Sequence, residues 1–228
     1  MKRYLLLSLF TLLEMAVFSQ DPASVVIQKL KQKNDTVRDY EAKASMKTNV
    51  SFIKAPLADI LIFYKSPDKV RIKNETGISF IPKGAVNISM GNIFTIEKYT
   101  AIDAGKEKIG EVNARVIKII PDDENADVIL ATLYVDESRL LVLRSKTTTR
   151  QNGTYQLDMA YGRYSRYGLP DRLVFTFNTK DFKLPKGVTF DYDTGTEKKS
   201  TSVSEKGMIE ISCSSYTVNR GLSDEVFK

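Results

Sequence analysis

Residues 58–74 read ADILIFYKSPDKVRIKN. Ile60 to Tyr64 form an apolar run, and Ser66-Pro67-Asp68 supplies turn chemistry. Val70 and Ile72 then share one face of a shorter alternating run. β-Branched and aromatic side chains suit the pleated arms of a hairpin. Proline has no N–H to give to a ladder, so it belongs at the bend, with an aspartate beside it. The stretch predicts two antiparallel strands joined at Pro67.

Upstream, Val37 to Phe52 alternates. Tyr40, Ala42, Ala44, Met46, Val50 and Phe52 fall on one face, and Asp39, Glu41, Lys43, Ser45, Lys47, Asn49 and Ser51 on the other. This predicts a long antiparallel strand with one dry and one wet face. Ala42 and Ala44 leave a notch in the dry face, to be filled by a packed helix or by a ligand. Before the strand, Asp21 is expected as N-cap and Pro22 as first residue of a helix that ends at Asn34-Asp35. Ala23, Val26, Ile27 and Leu30 form its apolar stripe, suited to packing on a sheet. Met1 to Ser19 reads as a secretory leader, with basic Lys2-Arg3, an apolar segment from Tyr4 to Leu13 and small Ser19 at its end. That segment is too short to span a bilayer as a helix. The expected mature chain is a single domain over 20–228.

Downstream, strands are expected at Gly77–Ile81, Ile93–Lys98, Arg115–Ile120, Asp127–Val135, Arg139–Arg150, Thr154–Tyr161, Arg172–Asn178 and Met208–Val218. Asp136-Glu137-Ser138 and Gln151-Asn152-Gly153 are read as tight turns, and Gly168-Leu169-Pro170-Asp171 as a connection. Tyr155, Leu157, Met159 and Tyr161 make one dry set, and Leu173, Phe175 and Phe177 a second. From these faces, Tyr40, Ala42, Ala44, Met46, Val50, Phe52, Ile60, Ile62, Tyr155, Leu157, Met159, Leu173, Phe175 and Phe177 are candidates to line a ligand cavity or to form a core. Pro82–Asn92 is expected as a short helix or lid, and Asp181–Gly207 as an exposed insertion. One early helix followed by meandering strands indicates an α+β fold: a strongly curved antiparallel sheet, an incomplete β-barrel, covered by the N-terminal helix.

Composition narrows function. The 228 residues are 42% hydrophobic and 27% charged, with formal net charge +6. Losing the leader removes two cations and one carboxylate, leaving +5. The lysines are spread evenly, which suits solubility and transient contact with an anionic membrane but leaves no nucleic-acid footprint. Histidine is absent, and with it the commonest general base and transition-metal ligand. The single cysteine, Cys213, lies in a strand-like run and is expected as a small buried hydrophobe rather than a nucleophile. Asp122, Asp123, Glu124 and Asp127 lack the ligand spacing of a calcium loop, as does Asp191-Tyr192-Asp193-Thr194-Gly195; both are read as solvated turns. No phosphate loop, dinucleotide fingerprint or zinc spacing occurs, so no cofactor or metal is expected, and the protein is not expected to be an enzyme.

The hairpin spelling Lys65-Ser66-Pro67-Asp68-Lys69-Val70-Arg71 resembles the basic-x-Pro-x-(Lys/Arg)-x-Arg turn of the periplasmic outer-membrane lipoprotein-carrier (LolA-like) superfamily. Gly168-Leu169-Pro170-Asp171-Arg172 before Leu173-Val174-Phe175 resembles its later strands, as does Ser215-Tyr216-Thr217-Val218-Asn219-Arg220-Gly221-Leu222. The closing Tyr-x-x-Asn-x-Gly is similar to carrier-like members of unassigned function. The resemblance implies an exported monomer that binds acyl chains of lipoproteins or other lipids in an apolar cavity. It further implies an inner-membrane loading complex and an outer-membrane acceptor as partners. A different implication of the same fold is an envelope sensor that binds a protein, similar to binders of anti-sigma factors.

Overall fold

The computed structural model describes residues 22–49, 58–74, 96–151, 153–178 and 206–227. The expected leader, Val50, Phe52, the Gly77–Ile81 strand, the Pro82–Asn92 lid, the Asp191–Gly195 turn and most of the Asp181–Gly207 insertion lie outside them.

Helix α1 spans Ala23–Asp35. Its N-cap is Pro22 rather than Asp21. Pro22 keeps an extended ψ of 147°, and its carbonyl accepts from the N–H groups of Val25 (2.9 Å) and Val26 (3.3 Å). The ring fixes φ, and the missing N–H costs nothing before the first turn. Ala23, Val26, Ile27 and Leu30 are all buried, as their spacing requires.

The strands are β1 (Asp39–Asn49), β2 (Ala58–Lys65), β3 (Lys69–Asn74), β4 (Tyr99–Ile109) and β5 (Val112–Pro121). They continue with β6 (Val128–Asp136), β7 (Leu141–Thr149), β8 (Gly153–Ala160), β9 (Arg172–Asn178) and β10 (Lys206–Val218). All pair antiparallel in one sheet of order β3-β2-β1-β10-β9-β8-β7-β6-β5-β4. Among the described residues, strands β3 and β4 are its two edges, so the described sheet does not close. The expected α+β architecture holds: one helix lies in the hollow of a large open antiparallel sheet, where its apolar stripe joins the main core. The helix comes nearest to β4.

Some expected boundaries are corrected. Strand β4 falls where the sequence reading placed no strand, and Ile96 to Lys98, the described end of the expected Ile93–Lys98 strand, is not extended into the ladder. As an edge strand β4 is largely solvated, so it lacks the alternation by which a half-buried strand is recognised. Gly105 (φ +85°) marks a register shift between Asp103 and Lys106, and its N–H donates to Asp103 Oδ1 at 2.9 Å. A bulge among charges is a common guard against edge-to-edge pairing. Gly207, read as the end of an exposed insertion, is buried in β10 opposite Phe177. Arg139 and Leu140 belong to the β6–β7 turn. That turn is organised by the Asp136 carboxylate, which accepts from the Ser138 N–H and hydroxyl and from Arg139.

Asp39, read as a wet-face residue, is only 6% exposed. It forms half of a clamp at the start of β1. Its carboxylate accepts from the N–H groups of Arg220 (3.0 Å) and Gly221 (3.1 Å). In return Asn219 Oδ1 accepts from the Arg38 N–H at 2.7 Å, and Asn219 Nδ2 donates to the Thr36 carbonyl at 2.8 Å. The closing Asn-x-Gly motif therefore ties the end of α1 to both β1 and the exit of β10. Asn219 holds φ at +58°, a conformation asparagine tolerates better than most residues.

The basic residues of the hairpin have a similar structural duty. Lys65 Nζ donates to the Leu222 carbonyl (2.9 Å) and pairs with Asp224 (2.8 Å). Lys69 also reaches Asp224 (3.1 Å), and Arg71 Nη1 donates to the Val226 carbonyl (2.9 Å). The C-terminal 3-10 turn, Asp224–Phe227, is thereby held against edge strand β3.

Asn219→Gly keeps the positive φ accessible while removing the side-chain bonds, so it isolates the clamp. It is expected to destabilise the fold by about 1–3 kcal/mol in urea unfolding, the range for losing several partly exposed hydrogen bonds. The tail is expected to respond to acid. Lys65 and Lys69 hold the Asp224 carboxyl below its ordinary 3.8. A depressed folded pKa adds stability that is present above the unfolded value and lost as pH falls through the folded one. Hydrogen exchange should show amides 222–227 equally protected at pH 7 and 5 and less protected as pH falls below 3.8, whereas Asp224→Asn should remove this acid response.

Candidate functional site

The candidate site is the concave face of the sheet. Period-2 alternation aims every second residue into the hollow, and antiparallel register lines these residues up in rows across the strands. One row runs Ile72, Ile62, Ala42, Tyr216 over β3, β2, β1 and β10. Another runs Ile209, Phe175, Leu157 over β10, β9 and β8.

Of the fourteen cavity candidates, all but Val50 and Phe52 are in the described residues, and these meet in one continuous cluster. Ala42, Ala44, Met46, Ile60, Ile62, Leu157, Met159, Phe175 and Phe177 are buried, and Tyr40, Tyr155 and Leu173 pack partly buried against them. Tyr161 lies just past β8, and its hydroxyl donates to the Val142 carbonyl (2.8 Å). The alternation of β1 survives because its single irregularity lies on the partner strand. Between Lys43 and Ala44 the pairing with β10 shifts by one residue, leaving Ser214 unmatched. The Ser214 hydroxyl covers this bulge by donating to the Lys43 carbonyl (3.1 Å).

Aromatic side chains form two groups on this face. Phe175 and Phe177 stack with ring centroids 5.0 Å apart, and Tyr155 meets Phe175 at 5.4 Å. At the clamp end, Tyr40 stacks on Tyr64 (5.2 Å) and meets Tyr216 edge-on (5.4 Å). Burial raises the pKa of Tyr40, Tyr64 and Tyr216, so the group stays neutral at physiological pH. The Tyr216 hydroxyl donates to the Pro170 carbonyl (2.7 Å), which fixes the Gly168–Asp171 connection against β10. Burial also pushes the Cys213 thiol up, consistent with a packed hydrophobe and not with a reactive thiolate.

The sequence reading missed the half of this face contributed by β5, β6 and β7. Ile117, Ile119, Ala131, Leu133, Val135 and Val142 belong to the same cluster. Their signal was ambiguous because both faces of β5 and β7 carry apolar residues: Ala114, Val116, Leu141 and Leu143 form a second, smaller cluster. Arg115 was also missed as an interior residue. Its side chain is 3% exposed and is matched by Asp103 (Nη2 to Oδ2, 2.7 Å) and Glu137 (Nη1 to Oε1, 2.8 Å). Burial lowers its pKa, but these two carboxylates outweigh that and keep it charged.

Among the described residues, no group of His, Cys, Asp or Glu side chains converges to hold a metal ion, and no helix is long and apolar enough to cross a membrane. A polar pocket of about 650 Å³ opens beside the clamp, lined by Asp35, Thr36, Arg38, Asp39, Asn219, Arg220 and Gly221. Its two carboxylates and two guanidinium groups balance, and Asp39 and Asn219 are already engaged by backbone groups.

No known protein-family profile and no curated protein matches the chain. Solved structures do match across nearly its whole length. A domain described as an outer membrane lipoprotein-sorting protein from Vibrio parahaemolyticus aligns with TM-score 0.54 at 14% identity, covering 90% of this chain and 95% of that one. A LolA-superfamily protein from Nitrosomonas europaea aligns with TM-score 0.56 at 12% identity, covering 89% and 97%. The fold is that of the LolA-like superfamily. A DUF1329 family protein from Desulfovibrio piger shares it, with TM-score 0.57 at 13% identity over 92% and 98% of the two chains. At such identities the likeness concerns the LolA-like fold alone, and the side chains on its concave face have to be read for themselves.

One contact on that face is tight enough to test. Phe177 crosses directly over Gly207, where a Cβ would come within 2.5 Å of the ring. Gly207→Ala is expected to displace the Phe177 ring from its stack with Phe175 and to cost about 1–3 kcal/mol by overpacking. Thermal unfolding of the variant checks this.

Proposed function

We propose that the protein is a non-enzymatic periplasmic carrier that holds the acyl chains of lipoproteins or other lipids against this concave face and passes them towards the outer membrane. The observation that carries the reading is the continuous apolar lining of an unclosed sheet with an amphipathic helix in its hollow. Each CH₂ transferred from water to such a surface contributes about 0.8 kcal/mol. An open-edged sheet leaves room for the helix to shift and admit a chain. The lipoprotein-sorting description of the Vibrio domain supports lipoproteins as one class of cargo. The reading also takes the N-terminal leader to direct export. It includes a membrane complex to load the carrier and an acceptor to unload it, because nothing in the motifs supplies energy for net transfer.

Native mass spectrometry of protein purified without detergent is expected to find acyl lipid or lipoprotein bound. Lipid-free protein that captures one specific polypeptide would instead mark an envelope sensor built on the same fold. A substitution adds a second test. Ala44, 6% exposed, lies in register between Ile60 and Cys213. If the notch is acyl-chain space, Ala44→Leu should weaken displacement of a fluorescent fatty acid several-fold while stability changes by less than about 1 kcal/mol. A loss of about 1–3 kcal/mol, with no uptake by the wild type, would mark the face as packed core.

A further inference from the structure

Strand β7 places Ser145 and Thr147 on the concave face, both fully buried at 0% exposure. Ser145 lies in register between Leu133 and Leu157, and Thr147 between Ala131 and Tyr155. Among the described residues, neither hydroxyl oxygen has a hydrogen-bond partner. Thr147 does act on the Tyr155 phenol. Burial raises that group's pKa and Thr147 partly offsets the rise, but no hydrogen bond of standard geometry joins the two.

A buried hydroxyl without a partner is unfavourable, whereas alanine for serine and valine for threonine would fill the same volume without that penalty. Close packing of a helix over this part of the sheet would explain why the side chains are small. It would not explain why they carry hydroxyls. Residues two apart on one strand face stand about 7 Å from each other, so the pair offers two donors along a single line. Hydrocarbon makes no use of donors. A carboxylate would need a cation, and Arg115 on the same face is already matched by Asp103 and Glu137. A neutral carbonyl oxygen is the acceptor that fits.

We propose that Ser145 and Thr147 form a polar subsite that donates to the ester carbonyls of an acylated glyceryl group, so that the ligand is an ester-linked lipid and not a bare hydrocarbon or a free fatty acid. This rests on the carrier reading and specifies its ligand. The same esters occur in a phospholipid and in the diacylglyceryl group of a lipoprotein.

The test displaces a fluorescently labelled diacylglycerol from the wild type and from a Ser145→Ala/Thr147→Val double variant. The competitors are a diacyl phosphatidylglycerol, its dialkyl ether analogue and a synthetic diacylated lipopeptide. The wild type is expected to prefer ester over ether by about fivefold to tenfold, the worth of one or two neutral hydrogen bonds. The double variant should bind ester and ether equally and melt no lower than the wild type. The ester competitor that binds tighter identifies the source of the group. Equal ester and ether binding by the wild type, a preference that survives in the variant, or a lowered Tm would each overturn the subsite while leaving the carrier reading in place. Failure of the wild type to bind the fluorophore or any competitor would overturn both.

Discussion

The reciprocal contact between Asp39 and the Asn219–Gly221 segment is the constraint on which the rest depends. A carboxylate buried at the mouth of β1 needs donors, and the chain supplies two backbone N–H groups from the exit of β10. Asn219 answers by bonding the backbone on either side of Val37. The end of the helix, the first strand and the last strand thus share one polar knot. Because α1 is tied to the sheet there, its buried stripe has a defined position in the hollow, and the small residues of the face are placed relative to it.

The edges of the sheet are managed by different means. Edge strand β3 is guarded by the C-terminal turn, held there by Lys65, Lys69 and Arg71. Edge strand β4 has no such cover among the described residues. It relies on charge, solvent exposure and the bulge at Gly105. Charged edges discourage a further strand from adding to the ladder. The described sheet can therefore remain open without recruiting another chain.

Much of this arrangement was legible in the sequence. The hairpin at Pro67, the alternation of β1 and the stripe of α1 could be read because each is a local period with a polar counterpart. Strand β4 could not, since a solvated edge strand buries too little to alternate. Asp39 read as wet because its donors lie about 180 residues away, and no local pattern announces them. The hairpin cations stood out as a motif, but their purpose depended on a tail remote in sequence. Ser145 and Thr147 were hidden for a different reason. On β7, Thr148 is as polar as its neighbours, so composition could not tell which hydroxyls face inward.

The strand order also has a kinetic consequence. In sequence, β1–β3 and β4–β9 are two separate meanders, and they share no hydrogen-bonded neighbour until β10 enters between β1 and β9. The register that unites them pairs Tyr40 with Val218. Closing so long a loop costs entropy before any ladder bond repays it, and folds dominated by such distant pairings form slowly. Both strands that flank the gap expose unpaired backbone until β10 arrives, so the first half of the chain cannot complete the fold during synthesis. The complete sheet therefore assembles only after its last strand has left the ribosome.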